Sequence, residues 1–263
     1  TQGSQTARIT RVDNRFDEAL GEMQAQVDLS TSINAADPQL VLVMEAVEDR
    51  IDLVEAARRL GLEVLVEVDS AMEPDDEYAL RSDRATDPIV HTSLHAVCAD
   101  QTAFDALRRA WNAWKRTQQV PGNAPLRDFF AHLRDIRPWG PQDRLRLINS
   151  DQYLDGLLPD QQHAVEIELW FRGSPTKRQL AQDEVSRLVI AEGGAVVSSA
   201  VITEIGYHGM SCVMPTELLR RLAVRDLEHI QLIKSSNIMY FRETVQLSGG
   251  SPAAADVETS PTG

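Results

Sequence analysis

The chain has 263 residues, of which 43% are hydrophobic, which is enough to build one large or two small globular cores and excludes a largely disordered protein. Its formal net charge is −14, and a surface this acidic repels a phosphate backbone, so nucleic acid is not expected as a partner. The sequence contains no run of 18 apolar residues, so no membrane-spanning helix is predicted.

The first half of the chain predicts one helix followed by alternating strands and helices. Apolar residues at helical spacing predict a helix over 14–26, with Asn14 placed to cap it. Gly61 and Asp100 have the residue types of a helix C-cap and a helix N-cap. The elements after the first helix are, in chain order, strand 40–47, helix 49–60, strand 62–69, strand 88–99 and helix 100–117.

The centre of the chain predicts a helical connector. Apolar residues predict a helix over 125–136, which stops before Pro138 because the residue preceding a proline disfavours helical geometry. A rigid corner follows at Pro138, Trp139, Gly140 and Pro141, and then a polar helix or turn at 142–156. Trp139 either packs between the two halves or is an exposed anchor for a partner.

The second half predicts a complete unit of six elements. They are strand 163–171, helix 175–192, strands 195–205 and 207–214, helix 215–223 and strand 227–234. The order β-α-β-β-α-β is that of the ferredoxin-like sandwich. The first half has the same order without a predicted fourth strand. The expected fold is therefore α+β, with two ferredoxin-like (βαββαβ-type) sandwiches joined by a helical connector.

These elements divide the chain into five segments. They are a helical and polar lead-in (1–37), a first ferredoxin-like domain (38–118), the connector with its corner (119–159), a second domain (160–246) and a flexible tail (247–263). Residues 40–87 hold fourteen Asp or Glu against five Arg. Such a run favours a solvated acidic face, and docking of this first domain onto a basic protein partner is the alternative.

Five segments of the chain resemble one known family. They are LVLVMEAV (40–47), LRDIRPWGPQDRL (133–145), VEIELWFRGSPTKRQLAQ (165–182), EIGYHGMSCVMP (204–215) and HIQLIKSSNIMYFRETVQ (229–246). Together they resemble the N-terminal region of bacterial subtilisin-like serine peptidases (subtilases), which precedes the catalytic domain. The resemblance covers roughly residues 40–246.

The resemblance implies that residues 163–241 are a propeptide domain, which acts as intramolecular chaperone and inhibitor of a subtilisin-like catalytic domain. Its sheet would pack on two surface helices of the peptidase, and its C-terminal segment would lie along the substrate cleft. That segment comprises Asn237, Ile238, Met239, Tyr240, Phe241, Arg242, Glu243 and Thr244. Met239, Tyr240 and Phe241 would fill pockets of the cleft. Gly249-Gly250 and the tail would be a linker in an uncut enzyme.

No catalytic group is expected in this chain. A serine triad needs a nucleophile, a base and a carboxylate in one site, and the motifs that carry them in subtilisins are absent from this sequence. His208-Gly209 lies in a predicted strand, where a buried or sheet-surface histidine is the better interpretation. The resemblance implies that the parent protein is an endopeptidase whose triad lies outside these residues.

No metal site or cofactor is expected either. His91 and His95 share one face of a strand but lie about 13 Å apart at ordinary strand rise, too far to share a metal. Cys98 adds no ligand at a fitting spacing for zinc. The acidic segment from Asp69 to Glu77 lacks the glycine turn of a calcium loop. With Cys212, Cys98 is expected to be a buried thiol in a reducing compartment.

Two readings of the function remain open from the sequence. The first is the subtilase prodomain, with the catalytic domain as partner in cis or in trans, in a bacterial cytoplasm. A chain that opens with Thr1 also leaves a removed signal peptide open. The second is a stand-alone regulatory or interaction module of two ferredoxin-like domains, which could hold a small effector between its sheets.

Overall fold

A computed structural model describes residues 2–32, 38–47, 53–73, 89–146, 157–158 and 160–243. The chain begins with a long helix, α1 (Gln2–Ser32). Helix α1 extends well beyond the predicted range 14–26, so Asn14 lies inside the helix and the prediction that it caps the helix is wrong. Phe16 and Met23 are buried as their spacing predicts, whereas Leu20 is exposed.

The first sheet has four antiparallel strands in the order β2-β3-β1-β4. Its strands are β1 (Gln39–Val47), β2 (Glu63–Met72), β3 (Val90–Asp100) and β4 (Leu133–Pro138). Helices α2 (Leu53–Leu60), α3 (Gln101–Thr117) and α4 (Ala124–His132) accompany them. The unit β1-α2-β2-β3-α3-β4, with α4 inserted before β4, is a ferredoxin-like sandwich.

The prediction of a helix over 125–136 is wrong at its end. The helix ends at His132, and Leu133–Pro138 form strand β4. The register of β4 against β1 shifts between Ala46 and Glu45, which pair with Leu133 and Asp135. This irregularity lets both Leu133 and Ile136 reach the core although they are three residues apart, a spacing that resembles a helix. The first sandwich therefore extends to Pro138, beyond the predicted boundary at 118.

The first core is dominated by aromatic rings from α3 and α4. Trp111 and Trp114 stack with centroids 5.1 Å apart, and Phe130 meets Trp111 edge-on at 5.3 Å. All three rings are buried. Helix α1 adds Asp13, whose carboxylate accepts hydrogen bonds from Trp111 Nε1 and Lys115 Nζ.

The second sheet has the same topology, with antiparallel strands in the order β6-β7-β5-β8. After the short helix α5 (Pro141–Arg144), its elements are β5 (Gln162–Leu169), α6 (Pro175–Ala191), β6 (Ala195–Ile202), β7 (Tyr207–Pro215), α7 (Thr216–Ala223) and β8 (Ile238–Glu243). The α+β fold of two ferredoxin-like sandwiches is confirmed. No helix that the structure describes is long and apolar enough to cross a bilayer.

The fourth strand of this sheet is not the predicted segment 227–234. That segment forms turns and a short 3₁₀ helix at Leu232–Lys234, which bury Ile230, Leu232 and Ile233 without strand pairing. Its apolar residues do not alternate as strand residues do. The strand comes later, at β8, in the segment that the resemblance assigns to the protease cleft.

Two of the predicted caps, Asp100 and Gly61, are confirmed. Asp100 accepts a 2.8 Å hydrogen bond from the backbone N–H of Ala103, which caps α3. Gly61 ends α2 at φ +79°, and Gly193 ends α6 at φ +81°, a backbone conformation that favours glycine.

Candidate interaction site

The corner Pro138–Pro141 lies at the junction of the two sandwiches. The backbone N–H of Trp139 donates to Val41 O of the first sheet at 2.8 Å, and its indole Nε1 donates to Met239 O of the second sheet at 2.9 Å. Its ring meets those of Trp170 and Tyr240 edge-on, each with centroids 5.5 Å apart. Of the two predicted positions for Trp139, the structure shows the one between the halves.

Arg144 stabilises this corner through three hydrogen bonds. Its guanidinium is fully buried and donates to the carbonyls of Trp139, Ile233 and Ile238 at 2.6, 2.8 and 3.2 Å. Burial lowers the pKa of this guanidinium to about 10, so it remains charged at neutral pH. Asp143 completes the corner by accepting hydrogen bonds from Arg137 and from the backbone N–H of Gly140.

A second link between the sandwiches is an ion-pair cluster. Arg172, which follows β5, donates to Glu63 on β2 at 2.6 Å and to Gln39 on β1 at 2.7 Å, and Lys177 adds a 2.7 Å bond to Glu63. Burial alone would raise the pKa of the Glu63 carboxyl, but these hydrogen bonds outweigh it and lower the pKa to about 2.

A cavity of about 180 Å³ lies beside these links, where α1, the start of β1 and α6 meet. If the chain were a regulatory module, this cavity is where a small effector would bind. Several polar groups at its wall are engaged within the protein: Gln26 bonds Lys234 O and the Ser236 N–H, and Glu184 accepts from Ser235. This arrangement is typical of a structural junction.

The predicted cleft-binding segment lies in the sheet. Residues 238–243 form β8 and pair with β5, and Asn237 O accepts a bond from the Trp170 N–H. Phe241 is fully buried in the second core, and Met239 and Tyr240 pack at the junction. The prediction that these three side chains fill pockets of a protease does not agree with these positions, since such side chains must be exposed. Thr244 lies outside the described residues.

The outer face of the second sheet is the surface turned away from α6 and α7. Glu166 and Glu168 of β5 lie on it, because Val165, Ile167 and Leu169 between them point into the core. Arg242 of β8 forms ion pairs with both carboxylates. The face continues across β7 and β6 with Tyr207, Gly209, Ser211, Ser198, Ala200 and Ile202.

These charges are paired to one another across the face. The Tyr207 hydroxyl donates to Glu166 at 3.0 Å. Burial and the hydrogen bond to Glu166 raise the pKa of Tyr207, and burial raises the pKa of Glu168. The result is a surface on which both carboxylates have a partner within the face, beside small side chains and the exposed Ile202, so a partner protein can cover it without burying a lone charge.

The candidate chemical groups do not come together. His95 and His208 are both buried, each with a pKa lowered by burial, and they bond to Ser93 and Gln182 respectively. Among the residues that the structure describes, no group of three or more His, Cys, Asp or Glu is arranged to hold a metal ion. Burial raises the pKa of the Cys98 and Cys212 thiols to about 11, which makes both poor nucleophiles.

The sequence reasoning missed Arg144, the Arg172–Glu63 pair and the polar outer face. The first two join segments far apart in sequence, so no local pattern marks them. The outer face had a signal, because the alternation in VEIEL (165–169) places two carboxylates on the side opposite the core.

Comparisons with known proteins give only distant similarity. No protein-family model and no curated protein matches the chain. A solved structure described as a glycine cleavage system transcriptional repressor is 9% identical, with 72% of this chain and 87% of that chain covered and a TM-score of 0.22. An unknown protein from Galdieria sulphuraria is 12% identical, with 72% and 92% covered and a TM-score of 0.19. Similarity at this level does not bear on function.

Proposed function

We propose that this chain is the prodomain region of a bacterial subtilisin-like serine peptidase, which assists folding of the catalytic domain and inhibits it without being catalytic. The observation that carries the proposal is the outer face of the second sheet. Three segments that resemble subtilase prodomain regions, 165–182, 204–215 and 229–246, include strands β5, β7 and β8 of that sheet. Its other face is already packed by α6 and α7.

A flat sheet face is suited to covering helices on the surface of a second protein. A partner that binds only the native catalytic domain stabilises it by mass action, and it also lowers the barrier to folding where its contacts form early. The same complex inhibits when the chain leaving the sheet lies in the substrate cleft. Because β8 is paired with β5, the proposal assigns that role to the chain after Glu243 and no longer to Met239, Tyr240 and Phe241.

The test uses the catalytic domain that this proposal places in the same polypeptide, expressed separately. We expect the chain to slow hydrolysis of a chromogenic peptide at micromolar concentration and to raise the yield of active enzyme on refolding. A chain ended at Glu243 should still assist refolding but inhibit weakly, because it lacks the cleft segment. Absence of any effect of the full chain on both assays would overturn the proposal.

A matched pair of variants tests the docking face. Ser211→Arg places a long cation in the centre of the outer face, and Thr176→Arg places the same side chain on the exposed surface of α6. We expect only S211R to weaken inhibition, by tenfold or more. Equal inhibition by the two variants would show that docking uses another surface.

A further inference from the structure

We infer that the cavity at the junction binds a small zwitterion, such as a free amino acid, with its carboxylate towards Lys177 and its ammonium group towards Glu184. The cavity is the one of about 180 Å³ where α1, the start of β1 and α6 meet. The inference goes beyond the proposed function, since it concerns a small molecule inside the junction and not the protein that covers the outer face.

The size of the cavity limits the ligand. Pockets that hold drug-sized ligands have volumes of roughly 300–1,000 Å³. A cavity of about 180 Å³ is smaller, so it suits a molecule with few non-hydrogen atoms and not a nucleotide. Lys177 and Leu180, which line it, are each about half exposed, so the cavity is reached from solvent beside α6.

Internal hydrogen bonds hold the wall of this cavity in place. Gln26 of α1 bonds Lys234 O and the Ser236 N–H of the second sandwich, and Ser235 donates to Glu184 Oε1 at 2.7 Å. A wall that is fixed in this way keeps its shape without a ligand, so binding requires little ordering of side chains. The cavity is therefore formed in advance.

Opposite charges lie at the two ends of the α6 wall. Lys177 and Glu184 are seven residues apart, which puts them on one face of the helix and about 10 Å apart along its axis. Both line the cavity, as do Leu180 and Ala181 between them. A molecule with one negative and one positive group therefore meets a counter-charge at each end.

The charge around the cavity favours a ligand with no net charge. Arg172 and Lys177 are the cations of the wall, and both bind Glu63, which offsets one of them. Glu184 offsets the other. A ligand that is only an anion or only a cation would leave one charge unbalanced in a partly buried site, which is costly, whereas a zwitterion keeps the sum at zero.

Polar groups on the wall remain free to bind such a ligand. Lys177 Nζ donates one of its three hydrogens to Glu63. Gln39 accepts from Arg172 through its amide oxygen, which leaves its amide N–H groups as donors. Glu184 uses Oε1, and within the described part of the chain its Oε2 has no hydrogen-bond partner. The donors suit a carboxylate, and the Glu184 oxygen suits an ammonium group.

The first experiment is calorimetric titration of the full chain with glycine, alanine, serine and aspartate. Acetate and methylamine are the matched ligands, because each carries only one of the two charges. We expect at least one amino acid to bind in the millimolar range or more tightly, and both single-charge ligands to bind at least about tenfold more weakly. Equal binding of acetate would overturn the zwitterion, and no binding of any amino acid would overturn the site.

The second experiment repeats the titration with variants of the wall. Glu184→Gln keeps an acceptor for Ser235 but removes the negative charge, and Asp183→Asn makes the same change at an exposed position of α6. We expect E184Q to weaken binding at least about tenfold and D183N to leave it unchanged. Unchanged binding in E184Q would overturn the orientation of the ligand.

A second pair of variants tests the cavity itself. Ser30→Phe fills the cavity from α1, and Ala25→Phe places the same ring on the exposed surface of that helix. We expect S30F to abolish binding and A25F to retain it, with circular dichroism to check that each variant is folded. Unchanged binding in S30F would show that the ligand binds elsewhere. These measurements contain no peptidase, so they fail independently of the proposed function.

Discussion

In the first sheet the face turned away from the helices is largely apolar and part of it packs at the junction, whereas in the second sheet the corresponding face is largely polar and open. Val41, Ala96 and Cys98 of the first sheet meet Trp139 and Trp170. The second sheet presents Glu166, Glu168 and Arg242 in their place. Two sheets with one topology thus differ in the side chains that they present, because topology does not fix the residues on the outer face.

The comparison also separates a half whose outer surface is largely engaged inside the chain from a half whose outer face and edge strand are exposed. The first sandwich places part of its outer face and one edge in contacts within the chain, through Trp139, Arg172 and α1, and leaves Val66 and Val68 of that face exposed. The second sandwich leaves both its outer face and the edge β6 available. We therefore expect changes at the junction to affect stability most, and changes on the second sheet to affect binding most.

The largest expected effect is from Trp139→Ala. The indole is almost fully buried between the sandwiches, and truncating a buried Trp costs about 3–5 kcal/mol. We expect one transition in calorimetry for the unmodified chain, and two separate transitions for the variant, because its junction is weakened. Trp139→Phe keeps a ring but loses the bond to Met239 O, so a smaller loss is expected. A single unshifted transition in W139A would contradict the role given to this residue.

Arg144→Met is expected to cost about 3 kcal/mol. The variant leaves three carbonyls buried without their donor, and a buried unpaired polar group is costly. Urea unfolding measures the loss. Arg109→Met, on the exposed surface of α3, is the matched control and should change stability by less than about 0.5 kcal/mol. Equal losses in the two variants would mean that the buried hydrogen bonds contribute little.

Much of the fold could be predicted from sequence because its helices and most strands have regular periods. The stripe on α3 and the alternation in β5 are read directly from side-chain types. Strand β4 could not be predicted in this way, because its irregular pairing gives the buried residues Leu133 and Ile136 a helical spacing. The strand predicted over 227–234 is absent for a different reason. The apolar side chains of this segment are buried by turns, which have no regular period.

The candidate site was less predictable, because it depends on contacts between distant segments. The corner at Trp139 is visible in the sequence as a proline-rich turn, but its contacts with Val41 and Met239 span about a hundred residues in each direction. The predicted cleft segment lies in strand β8, whose apolar run IMYF suits a buried strand and a binding segment equally well.

The Glu63 carboxylate should make the junction sensitive to acid. Its pKa in the folded protein is lowered from 4.5 to about 2, so its contribution is complete above pH 4.5 and is lost as the pH falls towards 2. We expect the free energy of unfolding to fall by about 2 kcal/mol over this range. Urea unfolding at a series of pH values, monitored by Trp fluorescence, measures this loss. Glu63→Gln should flatten this part of the profile, and Asp69→Asn on the same strand should leave it unchanged. A profile that is identical in E63Q would contradict the assignment.

Gly209→Ala tests the polar face at its most crowded point. A Cβ at this position would overlap the Tyr207 hydroxyl, so the ring must move and its bond to Glu166 is lost. We expect a cost of about 1 kcal/mol in urea unfolding. Gly173→Ala, where a Cβ meets nothing within 4 Å, is the matched control and should not destabilise.

A double-mutant cycle decides whether the ring is the cause of that cost. In a Tyr207→Ala background the obstructing side chain is gone, so Gly209→Ala should cost much less than in the unmodified chain. If Gly209→Ala lowers the free energy of unfolding equally in both backgrounds, the loss arises from the backbone of β7 and not from the Tyr207 ring. The same variants then sharpen the comparison of the two sheets, because a displaced Tyr207 should weaken binding at the outer face and leave the junction at Trp139 intact.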